Sequence, residues 1–82
     1  MDNKNSYNKR KCACCGYFTI AEIKQTCPIC YWEEDFYQEE HTSDSGGPNL
    51  VCLRDAKANY KTFGVVDKKF LEFVRQPLEE QK

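Results

Sequence analysis

The sequence predicts a small α+β fold, in which a metal-bound lobe of short strands precedes a helical hairpin. Two Cys-x-x-Cys pairs lie close together in the first half of the chain, at residues 12–15 and 27–30. Residues 37–49 are predicted to form a loop, because their second half, residues 42–49, is rich in Gly, Ser and Pro. After this loop, apolar residues recur at helical spacing at Leu53, Ala56, Tyr60 and Phe63.

The length and composition favour a metal over disulfides as the stabilising element. The chain has 82 residues, six cysteines and a formal net charge of −1. A core from a chain this short gives little stability alone, so metals or disulfides are common at this size. The polar N-terminus carries no signal-peptide pattern, so we expect a cytoplasmic protein whose thiols stay reduced. No run is long and apolar enough to cross a bilayer, so we expect no contact with a membrane.

The spacing of the cysteines predicts one tetrahedral site. A two-residue gap directs both sulfurs of a pair to one side of a tight turn, and two such knuckles can share an ion. Cys14 is expected to point away, because two adjacent residues rarely reach one metal. Four thiolates leave no open position, so we predict a structural zinc ion. The predicted ligands are Cys12, Cys15, Cys27 and Cys30.

Iron is the alternative metal. The knuckle pattern is similar to that of rubredoxins, which are one-iron electron carriers. Rubredoxin knuckles lie much further apart, and a Gly usually follows the second one, where this chain has Tyr31. Rubredoxin-like electron transfer is therefore kept as a second reading of the site.

Three short antiparallel strands are predicted around the metal, which is the zinc-ribbon plan. Residues 17–20 are rich in strand-forming types and leave the first knuckle. A turn near residues 21–24 brings the chain back, so that residues 25–26 form the opposing strand and residues 31–32 the third. The back of this ribbon is predicted to be an apolar surface made of Phe18, Ile20, Ile23, Ile29, Trp32 and Phe36.

A two-helix hairpin is predicted to pack on that surface. The first helix ends at Gly64, a residue that is common just past helix C-termini. Asp67 is placed to cap a second, shorter helix, with Pro77 just past its end. The apolar face of the second helix is predicted to be Phe70, Leu71, Phe73 and Val74. The chain then divides into a disordered tail over residues 1–9, a single zinc-binding domain over residues 10–77 and a C-terminal tail over residues 78–82.

The sequence offers no catalytic constellation, so we expect a protein that is not an enzyme. His41 has no spaced partner, and three consecutive carboxylates at residues 33–35 do not converge on one atom of an extended chain. Binding of another protein is the expected role. The predicted contact surfaces are the acidic segment Glu33–Glu40, which is expected to be solvated, the loop Gly46–Asn49, and exposed aromatic residues near the knuckles. The candidate contact residues are Trp32, Glu33, Glu34, Asp35, Gly47 and Asn49.

A nucleic-acid-binding ribbon is the other alternative. Its supporting features are the basic run at residues 9–11 and nearby aromatic residues that could stack on bases, namely Tyr7, Tyr17 and Phe18. Four thiolates and one zinc ion add a charge of −4 + 2 = −2, which takes the chain from −1 to about −3. This overall charge disfavours nucleic acid as the partner.

Five segments of the chain form a specific pattern. They are Cys-x-Cys-Cys-Gly-Tyr at 12–17, Cys-Pro-Ile-Cys-Tyr-Trp-Glu-Glu-Asp at 27–35, Gly-Pro-Asn at 47–49, Leu-x-x-Ala-x-x-Asn-Tyr-x-x-Phe-Gly at 53–64, and residues 70–77. In their order and spacing these segments resemble the small bacterial cysteine-rich CPCC proteins. The resemblance implies a metal-binding domain with no assigned enzymatic activity. Two positions depart from the family pattern. Ala13 replaces a usual Pro, and Cys52 replaces a usual Ser that would cap the first helix better.

Overall fold

A computed structural model describes residues 9–82 of the chain. The predicted tail lies outside the described residues except for Lys9, and so does Tyr7. The two strands are β1 (Arg10–Lys11) and β2 (Phe18–Ile20), and the two α-helices are α1 (Phe36–Glu40) and α2 (Leu53–Phe63). Two 3₁₀ helices follow, over Lys68–Phe73 and Glu79–Gln81. The predicted small α+β class is confirmed.

The sheet has two antiparallel strands, and its pairing differs from the prediction. β1 pairs with β2, so that Lys11 lies opposite Phe18. The prediction paired β2 with residues 25–26, and this is wrong. Thr26 instead forms a single antiparallel bridge with Glu33, across the second knuckle. Each knuckle reverses the chain, so the segments on its two sides meet each other. A three-stranded sheet is therefore not confirmed within residues 9–82.

Helix α1 occupies residues that the sequence analysis assigned to the ribbon and the loop. The carboxylate of Asp35 caps it by accepting the N–H of Gln38 at 3.0 Å. The Glu39 carboxylate accepts the N–H of Asp35 at 3.2 Å. The sequence carries the signal for this start, since Asp35 precedes Gln38 by three residues as in a capping box. The acidic run was instead interpreted as a solvated surface, and Phe36, predicted in the core, is 55% exposed.

Helix α2 has the predicted bounds and termini. Gly64 ends it in the left-handed region at φ +81°, and its N–H donates to the carbonyl of Tyr60 at 2.8 Å. At the other end, the Cys52 side chain makes no capping hydrogen bond to the described residues that follow it, as expected for a thiol. Leu53 and Ala56 turn into the core.

The second member of the predicted hairpin is a 3₁₀ helix. Asp67 begins it as predicted, accepting the N–H of Lys69 at 3.1 Å. The N–H of Phe70 donates to the carbonyl of Asp67 at 2.9 Å, which is the three-residue hydrogen bond of a 3₁₀ helix rather than the four-residue bond of an α-helix. Phe73 is 58% exposed, so part of the predicted apolar face meets solvent. The α-helical hairpin is not confirmed.

The C-terminal residues make hydrogen bonds with one another and with the segment before them. Gln81 is buried, and its side-chain oxygen accepts from the N–H of Leu78 and from the guanidinium of Arg75. The backbone N–H of Arg75 donates to the carbonyl of Pro28 at 3.1 Å, which ties this segment to the second knuckle. The predicted domain limits, 10–77 with a tail over 78–82, stay a prediction.

The core forms around the cysteines. Of the predicted ribbon surface, Ile20, Ile29 and Trp32 are buried. Ile23 is 68% exposed, which corrects its predicted core position, because it lies in the turn that ends at Lys24 with φ +65°. No helix in the described part of the chain is both long and apolar enough to span a membrane. The core cluster of buried residues comprises Cys12, Cys14, Ile20, Cys27, Ile29, Cys30, Trp32, Leu53, Ala56 and Val66.

Candidate metal centre

The first knuckle is the turn between β1 and β2. The N–H of Gly16 donates to the carbonyl of Cys12 at 2.9 Å, and the N–H of Cys12 donates to the carbonyl of Tyr17 at 2.9 Å. Gly16 has φ +83°, a conformation that glycine adopts without steric cost. These two hydrogen bonds close the turn and direct both cysteine sulfurs inward.

The second knuckle repeats these bonds fifteen residues later. The N–H of Tyr31 donates to the carbonyl of Cys27 at 2.8 Å, and the N–H of Cys27 donates to the carbonyl of Trp32 at 2.8 Å. Tyr31 takes the left-handed conformation of Gly16, with φ +75°. The Thr26–Glu33 bridge stands where the first knuckle has the Lys11–Phe18 pair. The two halves of the site are therefore built on one plan.

The two knuckles bring four sulfurs together. Their Sγ atoms all lie within 4.8 Å of one another. The Sγ atoms of Cys12 and Cys30 are 3.5 Å apart, and those of Cys15 and Cys27 are 3.7 Å apart. A tetrahedral site with metal–sulfur bonds of about 2.3 Å has sulfur–sulfur edges of about 3.8 Å. The cluster therefore has the dimensions of a tetrathiolate metal site.

All six cysteines are free thiols. The separations within the cluster are well above the bond length of about 2.05 Å in a disulfide. The paired disulfides that six cysteines could form are therefore not the arrangement in this structure. The sulfur set fits one ion that prefers soft donors, and tetrahedral four-sulfur geometry is shared by zinc and by iron in rubredoxin-type sites.

The four thiols shift one another's pKa values. Hydrogen bonding from Cys12 and the neighbouring thiols holds the pKa of Cys27 below its ordinary value. The hydrogen bond with Cys15 raises the pKa of Cys12, and the one with Cys12 raises the pKa of Cys30. A divalent cation among the sulfurs would let all four ionise, so binding would release protons.

Polar groups around the sulfurs orient Cys27 in particular. The hydroxyl of Thr19 donates to its Sγ at 3.0 Å, and the N–H of Ile29 lies 3.4 Å from the same atom. Such outer contacts fix a ligand and moderate its charge. The sequence analysis did not single out Thr19. Its place in a short strand between two knuckles was the available signal.

Trp32 and Glu34, which were predicted contact residues, make their polar interactions within the chain. The indole N–H of Trp32 donates to Glu39 at 3.0 Å, and Trp32 is fully buried. The guanidinium of Arg10 donates to both oxygens of Glu34, at 2.6 and 2.8 Å. Burial acts to raise the pKa of the Glu34 carboxyl, but Arg10 and the N–H of Lys24 outweigh it and hold the pKa below its ordinary value.

Asp35, Asn49 and Gly47 also take part in the internal network. Asp35 is buried at the start of α1, and its carboxylate lies 3.5 Å from the ammonium of Lys24. The amide of Asn49 exchanges two hydrogen bonds of 2.8 Å with the backbone of Glu33. Gly47 lies so close to Gln38 that a Cβ there would sit 2.7 Å from it. Their predicted role in partner binding stays a prediction.

Gln38 is a buried residue that the sequence analysis missed. Its side-chain oxygen accepts from the backbone and the side-chain amide of Asn49, at 3.1 and 2.9 Å. Its side-chain nitrogen donates to the carbonyl of Asp44 at 3.1 Å. Gln38 therefore holds residues 44–49 against α1, and through Asn49 it supports Glu33 in the segment that follows the second knuckle.

A family model described as cysteine-rich CPCC matches residues 10–81. The chain belongs to the cysteine-rich CPCC family. The match covers both knuckles, α1, α2 and the first 3₁₀ helix. Searches of the curated proteins and of the solved structures found no match. Membership and the cluster together describe a Cys-rich family member whose four cysteines could bind a metal.

Proposed function

We propose that the four cysteines of this CPCC domain hold one structural zinc ion, and that the domain works by binding another protein without catalysing a reaction. The observation that carries the proposal is the sulfur cluster. Four mutually close thiols offer a full tetrahedral set and no open coordination position, which is typical of structural rather than catalytic zinc. When bound, the ion would supply cross-linking of the two knuckles.

The chain around the cluster supports a structural role for the ion. The strands are only two and three residues long, and the sheet has two strands. Short strands of this kind are not stable alone in water. Cys12, Cys27 and Cys30 are also members of the core cluster, so the ion would cross-link residues that are buried in the core.

Several features support a protein partner over nucleic acid. The guanidinium of Arg10 is engaged with Glu34, which leaves less free charge in the basic run at residues 9–11. Large apolar side chains also remain exposed, and such surface often marks protein contacts when it is contiguous. These side chains are Ile23, Phe36, Tyr37, Leu50, Phe63, Leu71, Phe73 and Leu78.

Metal analysis of the purified full chain tests the structural part. We expect one zinc per chain, a colourless protein, and loss of the folded circular-dichroism spectrum when a chelator removes the ion. A red protein with thiolate–iron absorption would show that the bound ion is iron rather than zinc, and would favour rubredoxin-like electron transfer. A folded spectrum that survives removal of the metal would overturn the structural role.

Partner capture tests the other part. The zinc-loaded chain is immobilised and exposed to native lysate, with the chelator-stripped chain as the control. We expect retention of a specific protein by the loaded chain alone. A salt-sensitive gel shift of DNA or RNA at physiological ionic strength, without a retained protein, would favour the nucleic-acid alternative instead.

A further inference from the structure

A small cavity opens beside the second knuckle. Its volume is about 70 Å³. At about 10–15 Å³ per water, it has room for about five water molecules, which is far less than the several hundred Å³ of typical cofactor and drug sites. A site of this size suits one extended side chain. Its walls include Tyr31, Glu33, Asn49, Leu50, Val66 and Phe70.

One wall of the cavity is aromatic. The ring centroids of Tyr31 and Phe70 are 4.6 Å apart, and those of Tyr31 and Phe73 are 5.8 Å apart. These three rings form an aromatic cluster. Tyr31 reaches this position from a left-handed backbone, where a glycine would have no steric cost. The first knuckle has Gly16 at the equivalent place. The strained backbone at Tyr31 therefore places an aromatic ring at the cavity.

Glu33 is the one acidic residue among the cavity walls, and it is half-buried. Its backbone is fixed by the two hydrogen bonds that it exchanges with the side-chain amide of Asn49 and by the bridge to Thr26. Among the ion pairs formed within residues 9–82, none involves the Glu33 carboxylate. The cavity therefore combines apolar and aromatic walls with one negatively charged residue.

We propose that this cavity binds a lysine side chain presented by a partner protein. The inference rests on the proposed function, and it names the chemistry that the partner offers. A lysine is a four-carbon stem with a compact ammonium, so its stem would lie along Val66 and the aromatic rings while its head meets Glu33. An ammonium near an aromatic face also gains from the ring quadrupole.

The chain itself places an ammonium near this aromatic wall. The Nζ of Lys69 lies 5.9 Å from the centroid of the Phe70 ring. This shows that the ring is accessible to a cation in the folded protein. It also predicts competition, because the Lys69 charge repels an incoming lysine. Removing that charge should therefore tighten binding.

The rim of the cavity favours a protein segment over a free amine. Leu50 is 56% exposed beside the opening, and Phe73 is exposed on the aromatic cluster. Residues that flank the lysine in a partner would cover these side chains, and a free diamine would not. The rim therefore adds apolar contact area that only a polypeptide can use.

The test is a titration of the metal-loaded, isotope-labelled full chain, followed by amide NMR shifts. The probe is N-acetyl-lysine methylamide, and the matched probes are the norleucine and arginine analogues. We expect saturable shifts at Tyr31, Glu33 and Leu50 with millimolar affinity for lysine. Norleucine, which lacks the charge, should bind about tenfold more weakly, the effect of losing one charged hydrogen bond.

Variants of the chain separate recognition of the lysine charge from nonspecific apolar binding. Glu33→Gln should weaken lysine binding about tenfold, while Glu40→Gln, which makes the same charge change on the exposed end of α1, should not. Lys69→Gln should strengthen it. Equal binding of norleucine and lysine, no saturable shifts, or tighter binding of arginine would each overturn the proposal. A partner protein that binds the Glu33→Gln chain unchanged would also overturn it, yet would leave protein binding as the function.

Discussion

Gly16 and Tyr31 adopt nearly the same backbone conformation in the two knuckles, although only one of them is a glycine. Both N–H groups close their turn on the first cysteine of the pair. A left-handed backbone costs a residue with a side chain about 1–2 kcal/mol. The first knuckle avoids this cost. The second accepts it and gains an aromatic ring that packs on Phe70. The two knuckles thus share one backbone conformation, but only the second presents an aromatic side chain at this position.

The two knuckles also differ in what supports them. The first is flanked by its own short strands, β1 and β2. The second accepts hydrogen bonds from the distant C-terminal half, from the N–H of Val66 to Cys30 and from the N–H of Arg75 to Pro28. The second knuckle therefore joins the two halves of the domain, whereas the first contributes its two cysteines to the sulfur cluster.

The largest expected effect comes from breaking the site that the knuckles share. Cys15→Ser, in the first knuckle, and Cys30→Ser, in the second, should each abolish stoichiometric metal binding and cooperative thermal unfolding. One ion needs all four sulfurs, so the two variants should fail alike. The measurements are metal content and a circular-dichroism melt of each purified chain.

Cys14→Ser is the matched control for this prediction. Cys14 is buried beside the cluster but is not one of the four close sulfurs. The variant should keep the metal and a cooperative melt. Loss of the ion from Cys14→Ser, or its retention by Cys15→Ser, would show that the ligand set is different.

A second prediction concerns the ion pair that links the knuckles directly. Arg10 precedes the first knuckle and Glu34 follows the second, and Glu34 is buried. Arg10→Ala should lower the free energy of unfolding at pH 7, because the buried carboxylate of Glu34 loses its charged donor. Lys11→Ala, the neighbouring exposed residue, should cost much less. Urea unfolding of the metal-loaded chains measures both, and equal costs would contradict the prediction.

The pH dependence of this pair has a definite sign. The pKa of Glu34 is depressed in the folded chain below its ordinary value of 4.5. The ionised Glu34 carboxylate therefore contributes fully to the free energy of unfolding at pH values above the pKa of this carboxyl in the unfolded chain. This contribution is lost as the pH falls below about 4. The difference in stability between wild type and Glu34→Gln should be constant from pH 7 to 5 and shrink below that. Metal release in acid affects both chains, so only their difference is used.

A third prediction probes the support beneath the second knuckle. Gly47→Ala should lower the free energy of unfolding by about 1.5 kcal/mol, since the new methyl would overlap the side chain of Gln38. Gln38 is buried, and both its side-chain oxygen and its side-chain nitrogen are hydrogen-bonded, so it has little freedom to move aside. Gly46→Ala, one residue earlier, meets only the carboxylate oxygen of Asp44 at 3.0 Å and should cost less. Thermal melts compare them. A larger loss from Gly46→Ala would show that the loop is not fastened at Gln38.

The sequence was informative where chemistry is local. Cysteine spacing was enough to predict the four sulfurs that the structure brings together, and helical periodicity with Gly64 predicted α2 at its observed bounds. Both signals depend on residues a few positions apart, so no tertiary information was needed to interpret them.

The errors concern pairings and side-chain partners across the chain. Strand β2 pairs across its own knuckle rather than with residues 25–26, and composition alone does not distinguish these pairings. The acidic segment was predicted to be solvated, whereas Glu34 and Asp35 are buried with cationic partners. Those partners, Arg10 and Lys24, lie far enough away in sequence that only the folded chain identifies them.

The smallest expected effect concerns Gly16 and Tyr31, the left-handed residues of the two knuckles. Gly16→Ala should cost about 1 kcal/mol from backbone strain alone, because a Cβ there meets open space within 4 Å. Tyr31→Gly relieves the same strain but loses the aromatic contacts with Phe70, so its net cost should also be about 1 kcal/mol. A background with both Phe70→Ala and Phe73→Ala separates the backbone strain from the ring contacts, because Tyr31→Gly should then become neutral or stabilising in urea unfolding. If Tyr31→Gly stabilises the unaltered chain instead, the ring contributes less to folding than its backbone conformation costs.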